Sequence, residues 1–261
     1  METVRKNELL TCLLRALCAE RSMDVPDTAE TQGLWDAFRA LVNTRPSMPT
    51  SDEWLAMQDE LLSGMIAEAG ITCVEDLEPT PADPRMRLWR GDITTLAADA
   101  IVNAANSQML GCWVPGHFCI DNAIHTFAGV QLRAECARIM DAQGHDEPTG
   151  CAKITSAYNL PAKHVIHTVG PIANGAPTDE HREQLASCYT SCLDLAARNG
   201  CESVAFCCIS TGVFGFPQQQ AAQIAVKAVG EWLDGADSQV TVVFNVFSER
   251  DERIYSSLLG L

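Results

Sequence analysis

Cys112, His117 and Cys119 fall within eight residues of one another, and Asp121 follows Cys119 by two positions. Thiolate sulfur and imidazole nitrogen are the donors that zinc favours. Structural zinc sites close with four protein ligands, whereas catalytic sites commonly supply three and leave a position open. Three such donors beside a carboxylate therefore suggest a metal with chemistry next to it. Pro115-Gly116 lies between the first donor and the other two and lets the chain fold back around an ion. His125 is a possible fourth ligand, but if a helix begins near Ile120 it sits more than a turn along it and packs or orients instead. Spacing alone leaves another reading open, in which two buried cysteines and a histidine merely share a loop. Short-spaced cysteines carry more weight in a chain without secretory features.

Three further segments place polar groups or glycines where a ligand can approach. Gly91-Asp92-Ile93-Thr94 offers a carboxylate that could accept from an exocyclic amine such as that of adenine, or equally cap the following turn. Asn103 and Asn106 can each donate and accept, which suits vicinal ribose hydroxyls but also a capped turn. Ser210-Thr211-Gly212-Val213-Phe214-Gly215-Phe216 precedes Pro217, which is comfortable in a first helical turn. Its glycines allow close backbone approach, and successive N–H groups ahead of a helix make an anion-binding concavity. No Gly-Lys-Ser/Thr follows, so it is not a P-loop. An ordinary strand–helix loop is the plainer alternative, with Phe214 and Phe216 in the core.

The elements that must position these groups can be read more coarsely. The chain has 261 residues, 47% hydrophobic and 20% charged, enough for one large domain with an appendage. Residues 1–78 read as helices: Leu9, Leu10, Leu13, Leu14 and Leu17 form one face, Leu34, Phe38, Leu41 and Val42 a second, and Trp54, Leu55, Met57, Leu61, Leu62 and Ile66 a third. Residues 79–84, with three prolines, read as a linker. From residue 85 to 261 strands alternate with helices, with strands at 85–89, 100–103, 152–157, 164–169, 203–209 and 239–247 and helices at 120–128, 180–199, 217–233 and 249–259. That pattern argues for a layered α/β domain, in which ligands gather at the carboxyl ends of the strands. The net charge of −16 disfavours nucleic-acid partners. No apolar run approaches the roughly 20 residues of a membrane span. No signal peptide is evident, and twelve scattered cysteines suit a reducing compartment, so a cytoplasmic location is expected.

Taken together and in order, Gly91–Thr94, Ile101–Asn106, Asp121–His125 and Ser210–Pro217 resemble the ADP-ribose-binding motifs of the macrodomain family. Many hydrolytic relatives carry a glycine run before the aspartate. Here Cys112-Trp-Val-Pro-Gly-His117-Phe-Cys119 stands in its place, which resembles the zinc-dependent branch, whose members also carry a helical N-terminal extension. The resemblance implies a three-layer α/β/α macrodomain with a mixed central sheet. It implies that Asp92 and Ile93 bind adenine, that Asn103 and Asn106 face the distal ribose, and that Thr211, Gly212, Val213, Phe214 and Gly215 cradle the diphosphate, with Ser210 also among the ligand-binding residues and Phe216 against the ribose. Cys112, His117 and Cys119 would hold Zn2+, and Asp121, assisted by Asn106, would be catalytic. The implied reaction is hydrolysis of mono-ADP-ribose from modified protein side chains, acidic ones in particular. A sirtuin-like ADP-ribosyltransferase and a lipoyl-carrier protein are the partners that the branch suggests. A non-catalytic ADP-ribose reader and an O-acetyl-ADP-ribose deacetylase are the competing readings.

Overall fold

The N-terminal leucines share one helical face, as their spacing requires. The helix α1 (Thr3–Glu20) buries Leu9, Leu10, Leu13, Leu14 and Leu17. Against it lie Leu34, Phe38, Leu41 and Val42 of α2 (Thr31–Asn43) and Trp54, Leu61 and Leu62 of α3 (Asp52–Ala69). Ser51 caps α3 by accepting the Trp54 N–H at 3.3 Å. These side chains form a core of their own, while Ile66, farther along α3, joins the larger core. The computed structural model describes residues 1–28 and 30–261.

The chain then runs β1 (Thr72–Cys73), β2 (Met86–Arg90), β3 (Leu96–Ala97), β4 (Ala100–Ala105), α4 (Ile120–Ala128), α5 (Val130–Gln143), β5 (Ala152–Ser156), β6 (His164–Val169), α6 (Asp179–Arg198), β7 (Ser203–Phe206), α7 (Gln218–Gly235), β8 (Thr241–Val246) and α8 (Glu249–Leu259). The main sheet has the order β2-β8-β7-β4-β6-β5, and β1 pairs with β3 in a small parallel sheet. Every neighbouring pair in the main sheet is parallel except β5 with β6, so the sheet is mixed by one antiparallel edge strand. The interior strands are buried on both faces and read as near-continuous apolar runs, as parallel strands between helical layers must. One layer is α6, α7 and α8; the other is α4 and α5, with α3 packed against α4. The result is the three-layer α/β/α architecture expected.

This topology fixes where a ligand can sit. From β4 the chain goes to β5 and then β6 on one side, and then crosses to β7 on the other. The carboxyl ends of β4 and β7 therefore flank a topological switch point, where open α/β sheets bind ligands. The strand expected over 203–209 stops at Phe206 because its ladder with β4 ends at Val102–Phe206. Cys207 to Ser210 turn away from the sheet, and Ser210 takes a positive φ of 63°. That bend directs the glycine-bearing loop over the sheet edge.

Candidate active site

Asn103 is the fourth residue of the central strand β4, wholly buried, and lies in register with His167 of β6. Both side chains therefore share a sheet face. Asn103 Nδ2 donates one hydrogen to Asp121 Oδ1 at 2.8 Å and the other to His167 Nδ1 at 3.1 Å. With Nδ1 accepting, the His167 Nε2–H points to Thr155 Oγ1 at 3.0 Å, and that hydroxyl is directed at Val165 O at 3.4 Å. The chain of donors fixes the amide orientation of Asn103. Burial lowers His167 to about 4, so the ring is neutral.

Asp121 stands in the first turn of α4, where the helix dipole favours a carboxylate. Burial nevertheless pushes its carboxyl up to about 6, against the pull of the Asn103 hydrogen bond and the Arg133 charge. Asn106 Nδ2 donates to Gly111 O at 3.0 Å and reaches Asp121 Oδ2 at a long 3.4 Å. Oδ2 is thus the less committed oxygen. His125, one turn on, is held neutral by burial and lies 3.6 Å from Asp121 Oδ1, beyond hydrogen-bond reach. It packs beneath the carboxylate and takes no part in the donor cluster of the preceding loop. Gly111 rests directly on it: φ is +81°, and a Cβ there would lie 3.0 Å from His125 Cγ.

The Cys112–Cys119 loop closes as its turn residues require. Pro115 and Gly116, the latter at φ +64°, are the central pair of a turn in which the His117 N–H reaches Val114 O at 3.2 Å. The turn brings Cys112 Sγ to 3.5 Å from His117 Nδ1. Cys119 caps α4, its Sγ accepting the Asn122 N–H at 3.4 Å. The donor atoms of Cys112, His117 and Cys119 all lie within 4.8 Å of one another, and all three residues are half-buried. The Cys112–His117 spacing is close to the ligand–ligand separation of a tetrahedral ion with bonds of about 2.0–2.3 Å. Two thiols and an imidazole at this spacing suit Zn2+, and the partial exposure leaves room for a fourth, non-protein ligand. A second soft-donor group, His125, Cys136 and His167, is fully buried. It is no comparable cage, because both His167 nitrogens are already committed to Asn103 and Thr155.

The remaining site residues line the same sheet edge. Asp92 follows β2 and caps the next turn, its Oδ1 accepting from Thr94 N at 2.9 Å and Thr94 Oγ1 at 2.7 Å; its side chain is exposed, and Ile93 is buried beneath it. In the loop after β7, the Gly215 N–H bonds Gly212 O and the Phe216 N–H bonds Ser210 O. The Thr211 N–H and hydroxyl both turn back to Cys208 O. Among the described residues, the N–H groups of Gly212, Val213 and Phe214 have no protein acceptor, which leaves three consecutive donors ahead of α7. Phe216 lies in the main core at 2% exposure, and the buried Ser210 hydroxyl has no partner.

Sequence reasoning missed four residues that hold this site: Arg39, Asn43, Arg133 and His167. His167 had a signal, a polar residue inside the apolar run of β6. The others had none, since each acts on distant backbone.

The Macro domain family matches residues 102–225 of the chain. A protein-ADP-ribose hydrolase of Treponema medium is 54% identical over 258 residues, covering 98% of either chain. A protein-ADP-ribose hydrolase of Staphylococcus aureus strain MSSA476 is 49% identical over 261 residues, covering 98% of this chain and 97% of the other. Among solved structures, the Trypanosoma brucei macrodomain in complex with ADP-ribose is similar with a TM-score of 0.66 at 33% identity, covering 85% of this chain and 95% of that one. The two hydrolase relatives match the chain over nearly its whole length, and the chain belongs to the Macro domain family.

Proposed function

We propose that this macrodomain releases mono-ADP-ribose from modified protein side chains, acidic ones in particular, with Zn2+ held by Cys112, His117 and Cys119. The chain is an enzyme, as its full-length relatives named protein-ADP-ribose hydrolase are. The observation that carries the fuller reading is the placement of a buried carboxylate two residues beyond a three-donor cluster, at the switch point of the sheet.

The residues divide the work by chemistry. Gly212, Val213 and Phe214 offer N–H groups to the diphosphate, which the acidic chain could not otherwise attract. Asp92 keeps one carboxylate oxygen clear of its cap for the adenine amine. Asn103 and Asn106 orient the Asp121 carboxylate beside the distal ribose. Departure of the side chain from the anomeric carbon develops oxocarbenium character, which a carboxylate stabilises. Oδ2, the freer oxygen, either faces that charge or takes a proton from the attacking water. Bound zinc would supply Lewis acidity, lowering the pKa of a coordinated water from 15.7 towards about 7 or orienting a ribose hydroxyl.

A modified lipoyl-carrier protein, labelled by a sirtuin-like transferase, remains the substrate that the zinc branch suggests, in the cytoplasm. Single-turnover hydrolysis of a mono-ADP-ribosylated protein, with and without a chelator, tests the proposal. Chelation and Cys119→Ala should each slow the reaction at least tenfold. A Cys119→Ala protein that binds no zinc yet keeps full rate would remove the metal from the mechanism. A faster rate on an acetyl ester of ADP-ribose than on the protein would favour the deacetylase reading.

A further inference from the structure

The N-terminal helices have a core of their own, yet the end of α2 is spent on the Cys112–Cys119 loop. Arg39 Nη2 donates to His117 O at 2.8 Å and to Asn122 Oδ1 at 3.2 Å. The same guanidinium lies 4.5 Å from the centre of the Phe118 ring. Asn43 is 2% exposed; its Oδ1 accepts the Gly116 N–H at 3.1 Å and its Nδ2 donates to Thr126 Oγ1 at 2.9 Å. From the opposite side, Arg133 of α5 spans the gap between loop and helix. Its Nε donates to Leu110 O at 2.6 Å, while its terminal nitrogens donate to Val42 O, Asn43 O and Arg45 O at 2.6–2.9 Å. Those carbonyls lie at and just beyond the end of α2, where the helical ladder stops; Val42 O also takes a 3.3 Å bond from the Arg45 N–H, and Arg133 completes their hydrogen bonding as it docks the helix.

The loop is therefore gripped at its start (Leu110), at its turn (Gly116, His117) and at its exit (Asn122). No contact of Arg39 or Asn43 falls on a sulfur or imidazole donor. Both act on the backbone and on the side chain that follow or join those donors, which is how outer partners set the direction of a ligand.

We infer that α2 is the outer support of the metal site, with Arg39 and Asn43 as positioning residues that preset Cys112, His117 and Cys119 for an ion. This gives the N-terminal extension a function in metal affinity, and it rests on reading those three residues as ligands. Loss of an outer partner typically weakens metal binding 10–100-fold. Arg39→Gln and Asn43→Ala should each weaken Zn2+ by about that factor, measured on the full chain by competition with a chromophoric chelator. The Co2+-loaded variants should show altered d–d absorption. ADP-ribose affinity should stay within about twofold, because neither residue lies on the ADP-ribose cleft. Asn43→Asp keeps an acceptor for the Gly116 N–H and should recover most of the affinity.

Arg39 is half-exposed, so Arg39→Gln separates positioning from folding even if the Asn43 variants melt early. Wild-type metal affinity and an unchanged Co2+ spectrum in Arg39→Gln would overturn the inference while leaving the ligand assignment intact. A wild-type chain that binds neither Zn2+ nor Co2+ would instead overturn the assignment, and the inference with it.

Discussion

Asp121 is held in a conflict that the fold does not relieve. Burial raises its pKa, the Asn103 amide and the Arg133 charge lower it, and the outcome is a carboxylate near the neutral end of its range. A group placed so is suited to exchange a proton or to meet positive charge. Asp121→Asn keeps the volume and can still accept from Asn103 through its carbonyl. It should lower single-turnover hydrolysis about 10²–10⁴-fold, with ADP-ribose binding by calorimetry changed only a few-fold. An equal loss in binding would mean that Asp121 holds ligand rather than acting on it. His167 supports this arrangement from behind and carries its own pH signature. Its pKa is about 4 in the fold against 6.5 ordinarily, through burial. The neutral ring thus favours the folded state fully above pH 6.5, and this contribution is lost as pH falls towards 4. At pH 5 the loss is about 2 kcal/mol. His167→Gln removes the term, so its stability deficit against wild type in urea should shrink by that amount between pH 7.5 and pH 5. Comparing the two proteins cancels the part of the His125 and Asp121 shifts that burial sets; the smaller share that the His167 charge puts on His125 goes with the mutation and adds to the same shrinkage. A deficit constant with pH would show that His167 is not held neutral.

Between residue and molecule, the loop after β7 shows what an element contributes. Gly215 sits at φ +66°, and a Cβ there would lie 3.2 Å from the backbone of Asn174 and Gly175, which bond this loop through Phe214 O and Gly215 O. A side chain in that conformation costs about 1–2 kcal/mol before any clash. Gly215→Ala should therefore weaken ADP-ribose by about tenfold or more, read by calorimetry, and an unchanged affinity would show that the loop conformation is not what binds. The turn from β7 into α7 is legible in its glycines and Pro217. So is α4, whose bounds follow from the cap at Cys119 and the break at Gly129. By contrast, nothing in the sequence marks α5. Its buried residues are Leu132, Arg133 and Cys136, and a charged side chain in the middle of the inward face breaks the apolar period. The burial of Arg133 is explained by Leu110 O and by carbonyls at and just beyond the end of α2, some ninety residues away. The two-residue strands β1 and β3 are too short to carry any period. Local pattern gave the elements that fill the core, and long-range hydrogen bonding decided the rest.

At the scale of the molecule, the site works against the charge of the chain that carries it. The net charge is −16, and ADP-ribose brings a diphosphate of the same sign. The backbone donors at Gly212–Phe214 act only at contact, since N–H dipoles fall off steeply, whereas the net field reaches out over a Debye length. Approach and capture are thus governed by different forces. Salt shortens the Debye length from about 30 Å at 0.01 M to about 8 Å at 0.15 M and should remove most of the repulsion during approach. It should leave the contact hydrogen bonds largely intact, because they are shielded once the ligand is seated. The association rate constant for ADP-ribose should therefore rise about two- to tenfold across that range in stopped-flow measurements, with the dissociation rate nearly constant. A basic mouth to the cleft would give the opposite sign. An association rate that falls with salt would show that such a mouth, and not the net charge, steers the ligand.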